Sequence, residues 1–273
     1  MYLNTKIKLA AIIPIAAVLV PFTIPTAQAV TVPCGFKEIV SDRGVKVYKK
    51  DNQLGKSEYV TVVNLNSGSI SNLAGDFINA PNGEVDRKSM TDFWDDAVKQ
   101  NTTTRKAKVV VNGTFFSQNN TPTPIAFGLK VAGTIISYGY GINEFPNLIT
   151  TFSFNSLKKY ASIQTYNKVT FDSSTPDVVG ALDPTANKSA EKYLPRMFVG
   201  VRDDDGNGSN ETVILYSSAY ARQVDASDVL RKFGANSIAM LDGGGSTGLI
   251  VDGETYIKAG RTVPQAIAVY AGR

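Results

Sequence analysis

An α+β fold, built as a strand-rich mixed sheet with few helices in a single domain, is predicted for this 273-residue chain from three observations. Short β-branched and aromatic runs recur from one end to the other, turn dipeptides separate them, and two segments alone carry apolar residues at helical spacing. A composition that is 43% hydrophobic is sufficient, at this length, to bury one full core.

The chain opens with Lys6 and Lys8, an apolar run from Leu9 to Val20, and the small-x-small triplet Ala27-Gln28-Ala29. This is the pattern of a secretory signal over residues 1–29, and it predicts a secreted or periplasmic/cell-envelope protein. The apolar run is short and broken by Pro14, Pro21 and Pro25, so no membrane span is expected after signal cleavage. Residues 30–58 read as an N-terminal extension and residues 59–273 as the domain. Loss of Lys6 and Lys8 leaves 26 basic side chains against 24 acidic ones. That near-neutral balance, with no basic run interleaved with aromatics, excludes nucleic acid as an expected partner. Cys34 is the single cysteine; it cannot close an intramolecular disulfide and reads as a buried or idle thiol. The oligomeric state is left open.

Strands are expected at Tyr59 to Leu65, Lys108 to Val111, Phe127 to Val131, Met197 to Val201, Thr212 to Tyr216, Ser237 to Leu241, Leu249 to Val251 and Ala266 to Tyr270. Asp252-Gly253 sits between two of these runs and predicts a hairpin, and Asp203 to Asn210 predicts another hairpin tip. One helix is expected over Ser89 to Lys99, where Met90, Phe93, Trp94 and Ala97 share a face. Another is expected to begin at Asp225 as N-cap and to stop at Gly234. Asn101 to Arg105 and Asn119 to Pro124 read as loops, and no internal repeat is present.

The densest chemical signal is Leu241-Asp242-Gly243-Gly244-Gly245-Ser246-Thr247-Gly248, a carboxylate leaving an apolar run ahead of three glycines. Each glycine costs roughly 0.5–1 kcal/mol relative to alanine, so the run implies a backbone that bends tightly or lies against a neighbour. Although Gly244 to Gly248 satisfies the G-x-S-x-G pattern, the chain contains no histidine to accept a serine proton. A serine-hydrolase triad is therefore excluded. A phosphate-cradling P-loop is excluded too, because no Lys-Ser/Thr pair follows the glycines.

Four segments together resemble the phosphodiester glycosidase family. Val111-Asn112-Gly113-Thr114-Phe115-Phe116 is similar to that family's Asn-Gly-Gly-Phe-Phe motif, with Thr114 in place of the second glycine. Pro195-Arg196-Met197-Phe198-Val199-Gly200-Val201 is similar to its arginine-bearing strand, Asp242 to Ser246 to its Asp-Gly-Gly-Gly-Ser signature, and Arg261 to Ile267 to its closing segment. Their order agrees from about Tyr59 to the C-terminus, whereas Thr134 to Pro184 follows no matching pattern.

The resemblance implies hydrolysis of a sugar-1-phosphodiester or phosphoglycan between the anomeric carbon and the phosphate oxygen. A phosphate monoester leaves readily, so no histidine and no cofactor are required. For the phosphate, Arg196 and then Arg261 are the candidate ligands, since guanidinium offers a planar fork of donors; a structural ion pair is the alternative for each. Main-chain N–H groups of Gly243, Gly244 and Gly245 are candidate anion donors. Asp242 is the candidate carboxylate on the sugar side, as base toward water, nucleophile or hydroxyl acceptor, with an Asx-turn cap as its bland alternative. Asn112 is a candidate substrate partner, Ser246 and Thr247 are candidate hydrogen-bonding groups, and Thr114 is expected to narrow or re-aim the pocket. Asp183, Glu211 and Glu254 compete for a second catalytic role. No metal is expected: the Asp203 to Gly208 run offers alternating oxygen ligands, but Ile214 stands at the twelfth position, where an EF-hand needs glutamate. A non-catalytic carbohydrate-binding or cell-envelope module on the same fold is the alternative function, and a calcium-stabilised surface protein a third.

Overall fold

Strand-forming runs separated by tight turns pair with near neighbours, and the ladders of this chain are antiparallel throughout the described residues. The computed structural model describes residues 32–51 and 54–272, so the signal segment expected over 1–29 lies outside the described residues. In chain order the elements are β1 (Lys37–Asp42), β2 (Val45–Asp51), β3 (Ser57–Asn64), β4 (Gly68–Ala74), β5 (Phe77–Ile78), β6 (Glu84–Val85), α1 (Met90–Lys99), β7 (Arg105–Asn112), β8 (Thr123–Pro124), β9 (Leu129–Val131), β10 (Thr134–Ser137) and β11 (Ile149–Asn155). They continue as β12 (Tyr160–Thr165), α2 (Lys168–Asp172), β13 (Asp177–Leu182), β14 (Leu194–Arg202), β15 (Thr212–Ala221), α3 (Gln223–Lys232), β16 (Ser237–Met240), β17 (Leu249–Val251), β18 (Glu254–Ile257) and β19 (Gln265–Gly272).

The large sheet runs β1-β2-β3-β15-β14-β16-β13-β11-β12, with β9 added on β13 and β10 on β9. A second sheet runs β18-β17-β7-β19-β4 and packs against the first, while β5-β6-β8 form a small third one. β7, β14 and β19 are buried along almost their full length, which a sheet strand achieves when both faces are covered. Helix α1 lies on β4, β7, β17 and β19, and α3 lies on β14 and β15. The main core fills the space between the sheets, and a second cluster around Phe127, Phe198, Tyr216, Leu230 and Phe233 joins α3 to the other face of the large sheet.

Local chemistry sets the element ends. Ser89 caps α1 through its hydroxyl, which accepts from Asp92 N at 3.1 Å, and Asp92 returns the contact to Ser89 N at 3.0 Å. Helix α3 begins at Gln223, two residues before Asp225, so Asp225 is not its N-cap. The Asp225 carboxylate instead accepts from Arg222 N at 3.0 Å and from the Arg222 guanidinium at 2.8 Å, reaching back to the head of the helix from within its first turn. Asp252 and Gly253 both have positive φ, 48° and 88°, which is the backbone a two-residue hairpin requires.

β1 and β2 fall in the span expected to be an N-terminal extension, and they form the edge of the large sheet. Cys34 is exposed, which leaves it as a free thiol outside the core. Phe36 and Tyr48 from this same span meet Phe233 at the end of α3, with ring centroids 5.1 and 5.5 Å apart. Phe233→Ala is expected to lower stability by about 3–5 kcal/mol in chemical denaturation, because it empties the point where the N-terminal strands, α3 and the large sheet converge.

Candidate active site

β16 of the large sheet and β7 of the second sheet end side by side, and the site is built where they do. Leu241 N still donates to Met197 O at 2.9 Å, after which the chain leaves the sheet at Asp242. Asp242 N then donates to Gly113 O at 2.8 Å. The Asn112 carboxamide holds both ends of the glycine turn: its Nδ2 donates to Asp242 O at 2.6 Å and its Oδ1 accepts from Gly248 N at 3.1 Å. Gly113 has no room for a side chain, since a Cβ there would stand 2.1 Å from Gln265 Oε1. That oxygen accepts from Thr114 N at 2.7 Å, and Gln265 Nε2 donates to Asn72 Oδ1 at 3.0 Å. The first and last of the four resembling segments are thus interlocked through buried amides.

The turn itself needs its glycines for different reasons. A Cβ on Gly245 would lie 2.6 Å from Arg261 Nη2, so the guanidinium lies directly over this residue. Gly244 adopts φ +60°, the left-handed region that glycine enters freely. Residues Gly244–Ser246 form a short 3-10 turn, in which Ser246 N and Thr247 N donate to Gly243 O and Gly244 O. Among the described residues, the N–H groups of Gly244 and Gly245 have no protein acceptor. Gly260 N donates to Gly245 O at 2.8 Å, which ties the Arg261 segment to the turn.

Asp242, Gly243, Gly244, Arg261, Lys188 and Phe115 line a cavity of about 190 Å³ beneath this turn, with Arg196 at its wall. Asp242 keeps partial solvent contact at the cavity mouth but is densely enclosed by protein atoms. That desolvation pushes its pKa up to about 6, against the opposing pull of the Ser246 hydroxyl, the Arg261 and Lys188 charges and the Gly243 N–H. Ser246 Oγ lies beside the carboxyl without closing a well-directed hydrogen bond, and Thr247 Oγ1 is buried in the same condition. Arg261 forms no hydrogen bond or close ion pair among the described residues, so its charge is directed to Asp242 and the cavity.

Arg196 is placed at the cavity, yet most of its donors are committed elsewhere. Its Nε donates to Ala221 O at 3.1 Å, Nη1 to Lys188 O at 2.9 Å, and Nη2 to Ser189 O and Lys192 O at 2.7 and 3.0 Å. Gln223, also buried, grips the same loop through Pro184 O, Ala186 O and Lys188 N. Two buried polar side chains therefore hold a surface loop in one conformation, and that loop delivers Lys188 to the cavity. Lys188 Nζ stands over Phe115 and Phe145 at 5.7 and 5.3 Å from the ring centroids, within reach of the carboxyl's field.

Of the residues nominated from the sequence, Asp242, Gly243, Gly244, Arg196 and Arg261 border the cavity. Asn112 is brought to the turn but directs its amide into the main chain. Gly245 supports Arg261, and Ser246 and Thr247 are buried behind the turn. Thr114 is 2% exposed, and the aromatic face beside the cavity belongs to its neighbour Phe115. Asp183 caps its own loop at Thr185, Glu211 sits at a distant hairpin tip, and Glu254 is exposed beyond the Asp252 turn. Sequence reasoning misses Lys188, Gln223 and Gln265: Lys188 lies in a polar loop with no motif, and the two glutamines act only through three-dimensional contacts.

Replacing Asn112 by alanine leaves a buried carbonyl and a buried N–H without partners, for an expected loss of about 2–4 kcal/mol in denaturant unfolding. Asp242→Asn is expected to act in the opposite direction. A carboxyl whose folded-state pKa lies above its unfolded value holds its proton more tightly in the native state, so its stabilising contribution is present near pH 4 and is lost as pH rises through about 6. The Asn variant should therefore be more stable than the parent by about 1–3 kcal/mol at pH 7, with the gap closing toward pH 4, as measured by thermal unfolding across that range.

Comparison with known proteins agrees with this architecture. The phosphodiester glycosidase family matches residues 95–270. A search of curated proteins finds no significant match. Among solved structures, the catalytic domain of zebrafish N-acetylglucosamine-1-phosphodiester alpha-N-acetylglucosaminidase, auto-inhibited by its pro-peptide, is similar at a TM-score of 0.56 and 13% identity, covering 90% of this chain and 86% of that one. A hypothetical protein from Synechocystis is similar at a TM-score of 0.54 and 13% identity, covering 88% of this chain and 69% of that one. At such identity the two structures establish a shared fold, and the family match spans the Asp242 turn, Arg196, Lys188 and Arg261 in one continuous stretch. The chain belongs to the phosphodiester glycosidase family.

Proposed function

We propose that this protein is a secreted hydrolase that cleaves the glycosyl–phosphate bond of a sugar-1-phosphodiester in an extracellular or envelope glycan. The observation that carries the reading is the pairing of one desolvated carboxyl, Asp242, with two cations, Arg261 and Lys188, around a single small cavity. The cavity is smaller than the roughly 300–1,000 Å³ that encloses a drug-sized ligand. It suits one substituent of a longer molecule, with the remainder lying outside, as a phosphoglycan would.

In the reaction, water adds to the anomeric carbon while the bond from that carbon to the phosphate oxygen breaks, giving a reducing sugar and a phosphate monoester. Charge builds on the departing phosphate, and the guanidinium of Arg261, the ammonium of Lys188 and the N–H groups of Gly244 and Gly245 are the donors available to meet it. Positive character builds on the sugar, and the Asp242 carboxylate faces it as base toward water or as nucleophile. Because a phosphate monoester needs little protonation to leave, one carboxylate suffices on this scheme. Arg196 acts as a positioning residue: it holds the main chain of the loop that carries Lys188.

No membrane-spanning helix occurs among the described residues. Secretion is read from Lys6, Lys8, the Leu9 to Val20 run and Ala27-Gln28-Ala29.

Incubation of the purified protein with a chromogenic sugar-1-phosphodiester tests the reading. Release is expected, with kcat/KM rising through an apparent pKa near 6 as Asp242 ionises. Asp242→Asn should lower kcat by about 10²–10⁴-fold. Arg261→Ala and Lys188→Ala should each lower kcat/KM by about 10–100-fold, the size of a lost charge-assisted hydrogen bond. Absence of release in the parent, together with glycan binding unaltered by Asp242→Asn, would replace the enzyme reading with that of a carbohydrate-binding module.

A further inference from the structure

The hairpin tip between β14 and β15 carries a cluster of acids that the catalytic reading does not use. Its sequence is Asp203-Asp204-Asp205-Gly206-Asn207-Gly208-Ser209-Asn210-Glu211. Side-chain oxygens recur at every second position, and Gly206 and Gly208 take φ of +75° and +85°, which lets the chain curl tightly around its own centre. One carboxylate oxygen each from Asp203, Asp205 and Glu211 lies within 4.8 Å of the other two. That span is about twice a calcium–oxygen distance of ~2.4 Å, so the three oxygens can share one ion. Asp204 is turned away, accepting from Arg202 Nε and from Thr212 Oγ1.

Burial singles out Glu211 independently of the crowding of the acids. Glu211 is 7% exposed, its Oε2 accepts from Asp204 N at 3.0 Å, and its Oε1 is buried with no hydrogen-bond partner among the described residues. A buried carboxyl oxygen that is neither solvated nor bonded is among the less favourable groups a fold can hold. The Glu211 carboxylate belongs to the same oxygen triangle, so a cation at its centre supplies the missing partner. The nearby Arg202 guanidinium does not fill that role, since it is engaged by Asp204 and by Phe233 O.

An EF-hand loop, flanked by helices, takes its closing carboxylate from the twelfth position, and Ile214 fails that pattern. Here the flanking elements are two paired strands, so the chain re-enters the sheet earlier and the ninth residue, Glu211, is the one that closes back on the first. We propose that residues 203–211 bind one calcium ion through Asp203, Asp205 and Glu211, with water and loop oxygens completing the shell. All-oxygen, carboxylate-rich ligation without an octahedral arrangement favours calcium over the smaller magnesium ion, which demands near-ideal octahedral geometry. The ion locks the turn of β14 and β15, two central strands of the large sheet. Arg196, at the cavity, lies six residues along β14 from Arg202, roughly 20 Å away at strand rise. The site is thus a stabilising one, separate from the catalytic cavity.

The test uses the full mature chain, stripped with EDTA and titrated with calcium chloride or, in parallel, magnesium chloride. Isothermal titration is expected to show one calcium per chain, and saturating calcium, at about 100-fold over its Kd, should raise Tm by about 5–10 °C. Asp205→Asn, at an exposed position, should weaken calcium binding at least tenfold while the stripped protein melts as the parent does; Glu211→Gln should do the same for binding. Sugar-1-phosphodiester hydrolysis by Asp205→Asn at permissive temperature should be unchanged, so a failure of the catalytic reading would not be mistaken for a failure of this one. Equal Tm in EDTA and calcium, an equal response to magnesium, or calcium binding retained in Asp205→Asn would each overturn the proposal.

Discussion

The side chain of Asn112 is the contact on which the site depends. Its two polar atoms bond to the carbonyl before the glycine run and to the N–H after it, joining residues 130 and 136 positions away in sequence. Because Asn112 ends a strand of one sheet and Asp242 follows a strand of the other, the same amide also pins the two sheets at a common corner. The main-chain bond from Asp242 N to Gly113 O joins the same two segments but leaves the turn's shape open, since a turn built of three glycines has no intrinsic preference for one shape. The carboxamide selects a shape by satisfying both ends at once, and burial at 1% exposure makes any other arrangement leave polar groups unpaired.

From that corner outward, absent side chains matter as much as present ones. Gly113 yields its space to Gln265, and Gly245 yields its space to Arg261. A hydrogen in place of a methyl lets a planar polar group lie within van der Waals reach of main chain. The outcome is a cavity whose cation-bearing segments are held from behind: the Arg261 segment by Gly260 N on Gly245 O, with the guanidinium lying over Gly245, and the Lys188 loop by Arg196 and Gln223, which grip its main chain. A held main chain lowers the reorganisation needed to bring those charges to a developing charge on a substrate, the condition that favours electrostatic stabilisation.

Much of the fold is legible in the residues. Apolar, β-branched runs mark the strands from Tyr59 to Leu65, Lys108 to Val111 and Met197 to Val201, Ser89 marks the start of its helix, and Asp252-Gly253 marks its hairpin. What cannot be read is whatever depends on partners distant in sequence. The strands between Thr134 and Pro184 pair chiefly with one another and with β9, contacts that no local motif announces. The segment before Tyr59 looks peripheral because its own composition is polar, yet β2 pairs along the whole of β3. Within the site, Asp242 and the glycines announce themselves, while Arg196 shows its chemical type and hides its role, because a guanidinium's partners are a property of the loop folded around it.

A chain without histidine lacks the side chain whose ordinary pKa falls near neutrality, and a carboxyl can take over that range when its surroundings are built for it. Enclosure under the glycine turn raises Asp242 from the ordinary aspartate value to about 6, while Arg261 and Lys188 keep it from rising further. The two tendencies meet in one cavity, whose lining both encloses the carboxyl and carries the cations that face it. Were the cavity more open, the carboxylate would be solvated and a weaker base; were the cations absent, burial would hold it protonated and inactive as a base near neutrality. The glycine turn, the clamp on the Lys188 loop and the seat of Arg261 are therefore parts of a single electrostatic balance. Aspartate, arginine and lysine suffice to set that balance, which is why a sequence free of histidine can still place a titrating group near neutral pH.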